Sequence, residues 1–257
     1  MLATLAVAWC SPRPDIAAIL TRSVEANEVD WKAAPDYDYF ERDGTVTGTR
    51  TYHVLMIAGS PYEELVAVNG KPLPLRDQDR EQRELREVIS RRRAESIRER
   101  SQRITKYEGD RKRDHLLMLE LTRAFDFRLL GERRLGRYTT YLLQAMPRAA
   151  YRPPSTETEV LAGMQGKLWI DKETYQWVRV EAEVVRPVSI GGFLASVQPG
   201  TRFELEKMPI ADGVWLPRHF AVKSNTKILF LFRNLTQQDE TYFNYHGVSE
   251  ETSALPR

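Results

Sequence analysis

The chain has 257 residues, of which 42% are hydrophobic, so it can form the core of one large β domain or of one domain with an insertion. Its 38 Lys and Arg residues nearly balance its 36 Asp and Glu residues. The net charge of +2 is too small to indicate that the protein binds a polyanion. The single cysteine, Cys10, excludes a disulfide framework, a CxxC redox pair and a thiolate metal site from the rest of the chain.

Residues 1–9 (MLATLAVAW) form a short apolar run of the leader type, in which residues 6–8 have the small-x-small form of a signal-peptidase site. The run is shorter than the roughly 20 apolar residues that cross a bilayer, and it lacks a basic start. We predict that residues 1–10 are a truncated leader of a periplasmic or otherwise exported protein. Two alternatives stay open. One is a lipid anchor at Cys10, although Trp9 stands where a lipobox has Gly, Ala or Ser. The other is a buried first element of a cytoplasmic protein.

The first predicted element is a helix over residues 14–33. Asp15 stands in its first turn, where negative charge suits the helix dipole, and Pro35 ends it. Apolar residues recur at helical spacing along one face, namely Ile16, Ile19, Leu20 and Val24. This stripe predicts that the helix packs on a core.

Three strands are predicted next, over residues 37–42, 51–58 and 64–68. Asp43-Gly44 predicts the first turn. Asn69-Gly70 is the strongest hairpin signal in the chain, because such a turn needs positive φ at both central residues.

Residues 76–107 contain no Gly or Pro, are dense in Arg and Glu, and have only a narrow apolar stripe. They predict one long, largely solvated helix. A second, apolar helix is predicted over residues 112–125. We therefore expect a helical insertion at residues 76–125 within a single domain of residues 11–257.

The rest of the chain predicts about seven strands joined by short turns, with a loop over residues 147–160 and a loop or short helix over residues 190–197. The strands are expected at residues 127–134, 137–146, 163–171, 175–185, 201–208, 214–224 and 227–245. Strands joined by hairpins form an antiparallel sheet, and a sheet this long must curl or close. The predicted fold is α+β: a curved antiparallel sheet forms an unclosed half β-barrel around helices, with a long charged helical insertion.

Motifs for catalysis are missing from the sequence. There is no GxSxG elbow, P-loop or GxGxxG. The four histidines, His53, His115, His219 and His246, are too far apart in sequence for a helical metal pair. We expect no cofactor and no metal, and we expect that the protein is not an enzyme. A hydrolase remains an alternative only if the fold brings a histidine beside a carboxylate and a hydroxyl in a pocket.

One candidate binding site consists of charged residues. Arg91, Arg92 and Arg93 could contact phosphate or a protein partner, but interleaved glutamates favour a solvated, self-paired helix face. The same helix has no aromatic residue before Tyr107, so nucleic-acid binding is not expected. Alternating glutamates at 181, 183, 204 and 206 are read as a solvated strand face.

Aromatic residues of the strands are the other candidates for function. Either they form the core, or they line an apolar concave face that is incompletely filled and holds an acyl chain. The candidates are Trp169, Trp177, Phe193, Phe203, Trp215, Phe220, Phe230 and Phe232.

Residues 166–174 (GKLWIDKET), followed by residues 177–181 (WVRVE), resemble a strand–turn–strand of the outer-membrane lipoprotein-sorting superfamily, which includes LolA, LolB and RseB/MucB-type proteins. Residues 131–143 (GERRLGRYTTYLL) resemble a hairpin of the same group, and the turns at residues 199–201 and 212–217 are similar to those of its exported relatives. The resemblance covers about two thirds of the chain and implies an unclosed barrel with a cavity for lipid acyl chains. The charged insertion departs from the pattern of a simple carrier.

Two functions follow from these features. The first is a periplasmic protein that binds a lipid or a lipoprotein on the concave face, with peripheral membrane contact. The second is an envelope sensor or scaffold that binds a protein partner through the charged helix at residues 76–107.

Overall fold

The structure is a computed structural model that describes residues 14–45, 47–190, 195–211, 213–230 and 233–249. For residues 114, 190, 195–196, 225–230 and 233–237 it describes the backbone alone. The helices are α1 (Ile16–Ala33), α2 (Leu75–Arg93) and α3 (Ile97–Ala124), with 3-10 segments at Ala34–Asp36 and Thr156–Gly163.

Thirteen strands lie in the described part of the chain, and eleven of them form one sheet. They are β1 (Tyr37–Thr45), β2 (Gly48–Ile57), β3 (Ser60–Val68), β4 (Lys71–Pro72), β5 (Phe125–Leu135), β6 (Tyr138–Pro147), β7 (Met164–Asp171), β8 (Trp177–Val184), β9 (Val188–Ile190), β10 (Ala195–Val197), β11 (Arg202–Ala211), β12 (Val214–Phe230) and β13 (Arg233–Gly247).

The large sheet is antiparallel and unclosed, with the order β4-β3-β2-β1-β13-β12-β11-β8-β7-β6-β5. Each strand pairs with its neighbour in the chain, except that β13 returns beside β1 and β11 pairs with β8. The two edge strands of the sheet, β4 and β5, are separated in sequence by α2 and α3. The predicted α+β fold with an open antiparallel sheet is confirmed.

One face of the sheet, called the inner face below, carries the main core. Leu143, Leu168 and Ile170 belong to it, and they pack with Ile19 of α1 and with Leu117 of α3. Because side chains alternate along a strand, the residues between them point to the outer face.

The helices α2 and α3 lie on opposite sides of the β2–β3 hairpin. Leu55 and Ile57 form a small cluster with Val88 of α2, whereas Met56 accepts a contact from the hydroxyl of Tyr107 on α3 at 3.9 Å. Both faces of β2 are therefore covered at this end, which explains why residues 54–58 are all buried.

Two arginines fix this arrangement at the hairpin turn. The Arg92 guanidinium donates to the carbonyl oxygens of Ile57, Ser60 and Pro61 at 2.7–3.0 Å. Arg103 of α3 donates to the carbonyl of Ala58 at 3.2 Å and pairs with Glu95 at 2.5 Å. Burial, followed by the charge of Arg103, lowers the pKa of Arg92 to about 10.

Several predicted elements are confirmed. The side chain of Asp15 caps α1 by accepting a hydrogen bond from the N–H of Ala17 at 2.9 Å. Asn69 and Gly70 have φ of 51° and 72°, and they connect β3 to β4. This is the conformation that the Asn-Gly signal requires.

The predicted helix boundary within the insertion is wrong. The break falls between α2 and α3 at residues 94–96, and α3 runs through residue 107 and through the gap expected before residue 112. Ser96 and Glu99 form a capping box that starts α3: the N–H of Ser96 donates to the Glu99 carboxylate at 2.8 Å, and the N–H of Glu99 donates to Ser96 Oγ at 3.3 Å.

Other local predictions are also corrected. Asp43 and Gly44 do not turn but continue β1, because β2 and β13 pair with them from both sides. Residues 188–190 and 195–197 form a small two-stranded sheet instead of a loop or helix, and a 3-10 segment occupies part of the expected loop over residues 147–160. The predicted strand over residues 227–245 is divided between β12 and β13.

Candidate functional site

A stripe of polar side chains anchors α1 to the inner face. Ser23, Asn27 and Asp30 are buried on the same helix face as Ile19, at helical spacing. The indole N–H of Trp177 on β8 donates to Ser23 Oγ at 2.6 Å, and the backbone N–H of Trp215 on β12 donates to Asp30 at 2.8 Å. Sequence reasoning missed this stripe, although polar residues on an apolar helix face were the signal that could have shown it.

The centre of this network is the buried ion pair of Asp30 and Lys207. The Lys207 ammonium also donates to the side-chain oxygen of Asn27 at 2.8 Å, and the Gln176 amide donates to Asp30 at 3.0 Å. Burial disfavours both charges, so the pKa of Asp30 is raised and the pKa of Lys207 is lowered. The network holds α1 in place through direct contacts between side chains.

An aromatic stack joins α1 to α3. The indole of Trp31 lies between the guanidinium of Arg111, at 4.6 Å, and the imidazole of His115, at 4.5 Å with an interplanar angle of 14°. His115 Nε2 lies 2.6 Å from a carboxylate oxygen of Glu28. These contacts position α3 above the inner face.

Beside α3, the inner face at β1 and β13 is lined by tyrosines. The ring of Tyr39 lies 5.1 Å from that of Tyr245 and 5.9 Å from that of Tyr242. All three side chains are half-buried, and burial is the first cause that raises the pKa of each of them. Half-buried rings with strong desolvation indicate a concave surface to which solvent has limited access.

Three carboxyl groups lie next to these tyrosines. Carboxylate oxygens of Glu41, Asp43 and Glu240 lie within 4.8 Å of one another. Glu240 accepts hydrogen bonds from the side chains of Gln238 and Tyr242. Burial, then the charge of Glu240 and the hydrogen bond with Asp43, raises the pKa of Glu41 to about 9. Glu41 is therefore neutral near pH 7, which lets the three groups share one place.

The C-terminal half of α3 has large apolar side chains at residues 116–119 and 121, among polar ones. Leu117, Met118 and Leu121 pack against the core of the inner face. Leu116 and Leu119, one turn apart, are each 40% exposed. These two residues therefore form an apolar patch on the exposed side of the helix.

Four of the predicted lining aromatics lie on the inner side of the sheet. Trp177 belongs to the core cluster, and Phe203 and Phe220 pack against it. Trp215 is buried, with its ring 5.0 Å from that of Tyr138. The structure brings these residues together with α1 and α3 in one region.

The remaining lining candidates lie elsewhere or outside the described residues. Trp169 lies between the core residues of β7 and so points to the outer face, where Arg179 lies over its ring at 6.0 Å. Phe193 and Phe232 lie outside the described residues, as do the side chain of Phe230 and the predicted leader with Cys10.

The outer face near Trp169 carries the alternating glutamates. Arg179 pairs with Glu181 at 2.9 Å, with Glu204 at 2.6 Å and with Glu206 at 3.5 Å, and all of these side chains are partly exposed. Their arrangement is the solvated, self-paired strand face that the alternation predicts.

The three arginines predicted to bind a partner occupy different environments. Arg92 is engaged with the β2–β3 turn and has no outward face to offer a partner. Arg91 and Arg93 are exposed on α2, and Arg93 has contacts of its own.

Two histidines meet on the outer face. The rings of His53 and His246 are 5.7 Å apart, and His53 stacks on Phe40 at 4.4 Å. Carboxylates of Glu28, Glu64 and Asp239 lie beside His115, His53 and His219, and the carbonyl of Asn244 lies beside His246. Within the described residues, His53 Nε2 and His115 Nδ1 are buried and have no hydrogen-bond partner.

The chain is only weakly similar to known proteins. No family model and no curated protein sequence matches the chain. Among solved structures, the chain is similar to a DUF1329 family protein from Desulfovibrio piger, with 11% identity, 93% of this chain and 96% of that chain covered, and a TM-score of 0.35.

Two further structures cover 89% of this chain. One is an outer membrane lipoprotein-sorting protein domain from Vibrio parahaemolyticus, with 11% identity, 93% of that chain covered and a TM-score of 0.33. The other is a LolA superfamily protein from Nitrosomonas europaea, with 9% identity, 91% of that chain covered and a TM-score of 0.34. Both of these structures bear the names of the superfamily that the strand–turn motifs of the sequence resemble.

None of the helices in the described residues combines the length and the hydropathy that a membrane span requires.

Proposed function

We propose that the chain is a non-enzymatic, exported binding protein of the cell envelope that holds a lipid acyl chain or the lipidated part of a lipoprotein. The observation that carries this proposal is the exposed apolar pair Leu116 and Leu119 on α3, whose neighbours Leu117 and Met118 pack against the core of the inner face. Export to the periplasm is proposed from the apolar run of residues 1–9.

We assign to the proposed site an apolar wall, Leu116 and Leu119 of α3, and an apolar floor, Phe203 and Phe220, which pack against the core of the inner face. Trp177 and Trp215 keep the floor rigid, since the Trp177 indole and the Trp215 backbone are hydrogen-bonded to α1. An acyl chain of this type would gain roughly 0.8 kcal/mol for each methylene that it buries. Trp169, on the outer face, is not part of the proposed site.

A titration with a fluorescent fatty acid tests the proposal. We expect the wild-type chain to bind the probe, and the double variant Leu116→Glu, Leu119→Glu to bind about tenfold more weakly, because it places two charges on the apolar wall. The matched control is the double variant Leu75→Glu, Ile97→Glu. Leu75 and Ile97 are the first residues of α2 and α3, and their side chains are 77% and 90% exposed. Equal binding by both double variants would contradict the proposed site.

A second candidate function is a scaffold that binds a protein through α2. It is favoured by the exposure of this helix, which buries only Val88 and leaves Arg76, Arg83 and Arg86 exposed. Removing the whole helix would also remove Arg92 from the β2–β3 turn, so a sharper variant replaces these three exposed arginines by glutamine. Loss of an envelope partner with unchanged fatty-acid binding would favour the scaffold.

A further inference from the structure

The strand β5 ends the sheet, and no strand in the described residues pairs with its other edge. It has 11 residues, Phe125–Leu135, with a bulge between Leu129 and Gly131, and therefore spans at most roughly 36 Å. An edge of this length presents a row of backbone N–H and C=O groups that can pair with another chain.

The opposite edge of the sheet is protected. There the last strand, β4, has two residues, and the backbone N–H of Leu65 on β3 donates to the Glu81 carboxylate of α2 at 3.4 Å. The N–H of Leu73 closes the same edge by donating to the carbonyl of Val66 at 3.2 Å. The two edges therefore differ in kind, and only β5 offers a long pairing surface.

The charges along β5 are unbalanced. Its two acidic side chains already have cations: Asp126 pairs with Arg148 at 2.7 Å, and Glu132 pairs with Lys172 at 2.5 Å.

The three arginines of β5 instead contact neutral oxygens. Arg128 donates to the Gln144 side chain at 2.7 Å, Arg133 to the carbonyl of Glu132 at 2.8 Å, and Arg134 to the carbonyl of Gly136 at 3.3 Å. Because a guanidinium binds a carboxylate more strongly than a neutral oxygen, these arginines favour an acidic partner.

From this edge and its charges, we propose that β5 binds an extended acidic peptide segment of a protein partner, which adds to the sheet as a further antiparallel strand. Backbone hydrogen bonds would provide the pairing, and the arginines would select acidic side chains. The surface is separate from the lipid site on the inner face. A second copy of this chain fits less well, since pairing β5 with β5 would bring six arginines together along one edge.

The probe is a fluorescein-labelled 11-residue peptide of alternating Glu and Val, and its binding to the full chain is measured by fluorescence anisotropy at low salt. We expect binding that weakens as salt rises. The variant Arg128→Gln, Arg133→Gln, Arg134→Gln should bind about tenfold more weakly, as expected for the loss of three exposed ion pairs. The matched control, Arg76→Gln, Arg83→Gln, Arg86→Gln, removes the same charge from α2 and should bind like the wild type.

A second peptide tests the strand pairing itself. It has the same sequence with every backbone amide methylated, so it keeps every charge but has no backbone N–H to donate on either edge. We expect it not to bind. The proposal is overturned if the methylated peptide binds as well as the parent, if both arginine variants lose binding equally, or if the parent peptide does not bind. Dimerisation of the chain through β5, detected by sedimentation and abolished by the β5 variant, would overturn it in favour of a second copy.

Discussion

Lys207 of β11 and Asp30 of α1 form an ion pair in which both side chains are almost fully buried, with exposed fractions of 5% and 4%. The two residues are 177 positions apart in the sequence. Their contact therefore joins the first helix to the C-terminal half of the sheet, and it fixes the helix that covers the inner face.

Replacing Lys207 by Met should lower the free energy of unfolding by about 3–5 kcal/mol, because it leaves the carboxylate of Asp30 buried without its cation. Urea unfolding followed by tryptophan fluorescence measures the loss. Lys223→Met, at an exposed lysine of β12, is the control and should change the free energy by less than about 0.5 kcal/mol. Similar values for the two variants would show that the ion pair does not hold α1.

Replacing Arg92 by Gln should lower the free energy of unfolding by about 3 kcal/mol, because three carbonyl oxygens of the β2–β3 turn lose a charged donor. The same substitution at the exposed neighbour Arg91 should have an effect below about 0.5 kcal/mol. Thermal unfolding of both variants distinguishes a structural Arg92 from one that serves a partner. A stable Arg92→Gln protein would contradict the structural role.

Replacing Ser96 by Ala should destabilise the protein by about 1 kcal/mol, because it removes the cap that starts α3. Ser90→Ala, inside the exposed face of α2, should instead stabilise it by up to about 0.5 kcal/mol through helix propensity. Unfolding midpoints of the two variants should therefore shift in opposite directions. Shifts of the same sign and size would argue against a helix start at residue 97.

The sequence predicted those elements whose signals are local. The strand at residues 51–58 and the Asn69-Gly70 turn each depend on residues close together in the sequence, and both were predicted. The start of α3 was also encoded locally, by Ser96 and Glu99, but it lay inside a run of similar charged residues. The apolar stripe was too weak there to show that one helix ends and another begins.

The candidate site could be predicted only in part. The aromatic strand residues were identified, yet the sequence could not tell that Trp169 faces outward, because both faces of β7 carry large side chains. The group of Glu41, Asp43 and Glu240 was out of reach, since it requires the pairing of β1 with β13 across about 200 residues. The long edge of β5 likewise follows from strand order, which no local pattern specifies.

Glu41 should make the stability of the protein depend on pH. Its pKa is about 9 in the folded protein against an ordinary value of 4.5, so between these values the folded state holds a proton that the unfolded chain has released. The contribution is complete below pH 4.5 and is lost as the pH rises to about 9.

We expect Glu41→Gln to flatten this decline, because the amide stays neutral at every pH. Melting temperatures measured from pH 5 to pH 9 for the wild type and the variant provide the comparison, with Glu84→Gln on exposed α2 as the control. A wild-type decline that persists unchanged in Glu41→Gln would exclude this carboxyl as its source.

The proposed function requires that the half-barrel hold a lipid or a lipidated segment against α3. Native mass spectrometry of the protein, purified without delipidation from a membrane-bearing host, is the decisive experiment. We expect adducts with the masses of host lipids or acyl groups on the wild type and on Leu75→Glu, Ile97→Glu, and their loss from Leu116→Glu, Leu119→Glu. A wild-type spectrum of bare protein, or adducts that persist in the Leu116→Glu, Leu119→Glu variant, would contradict it.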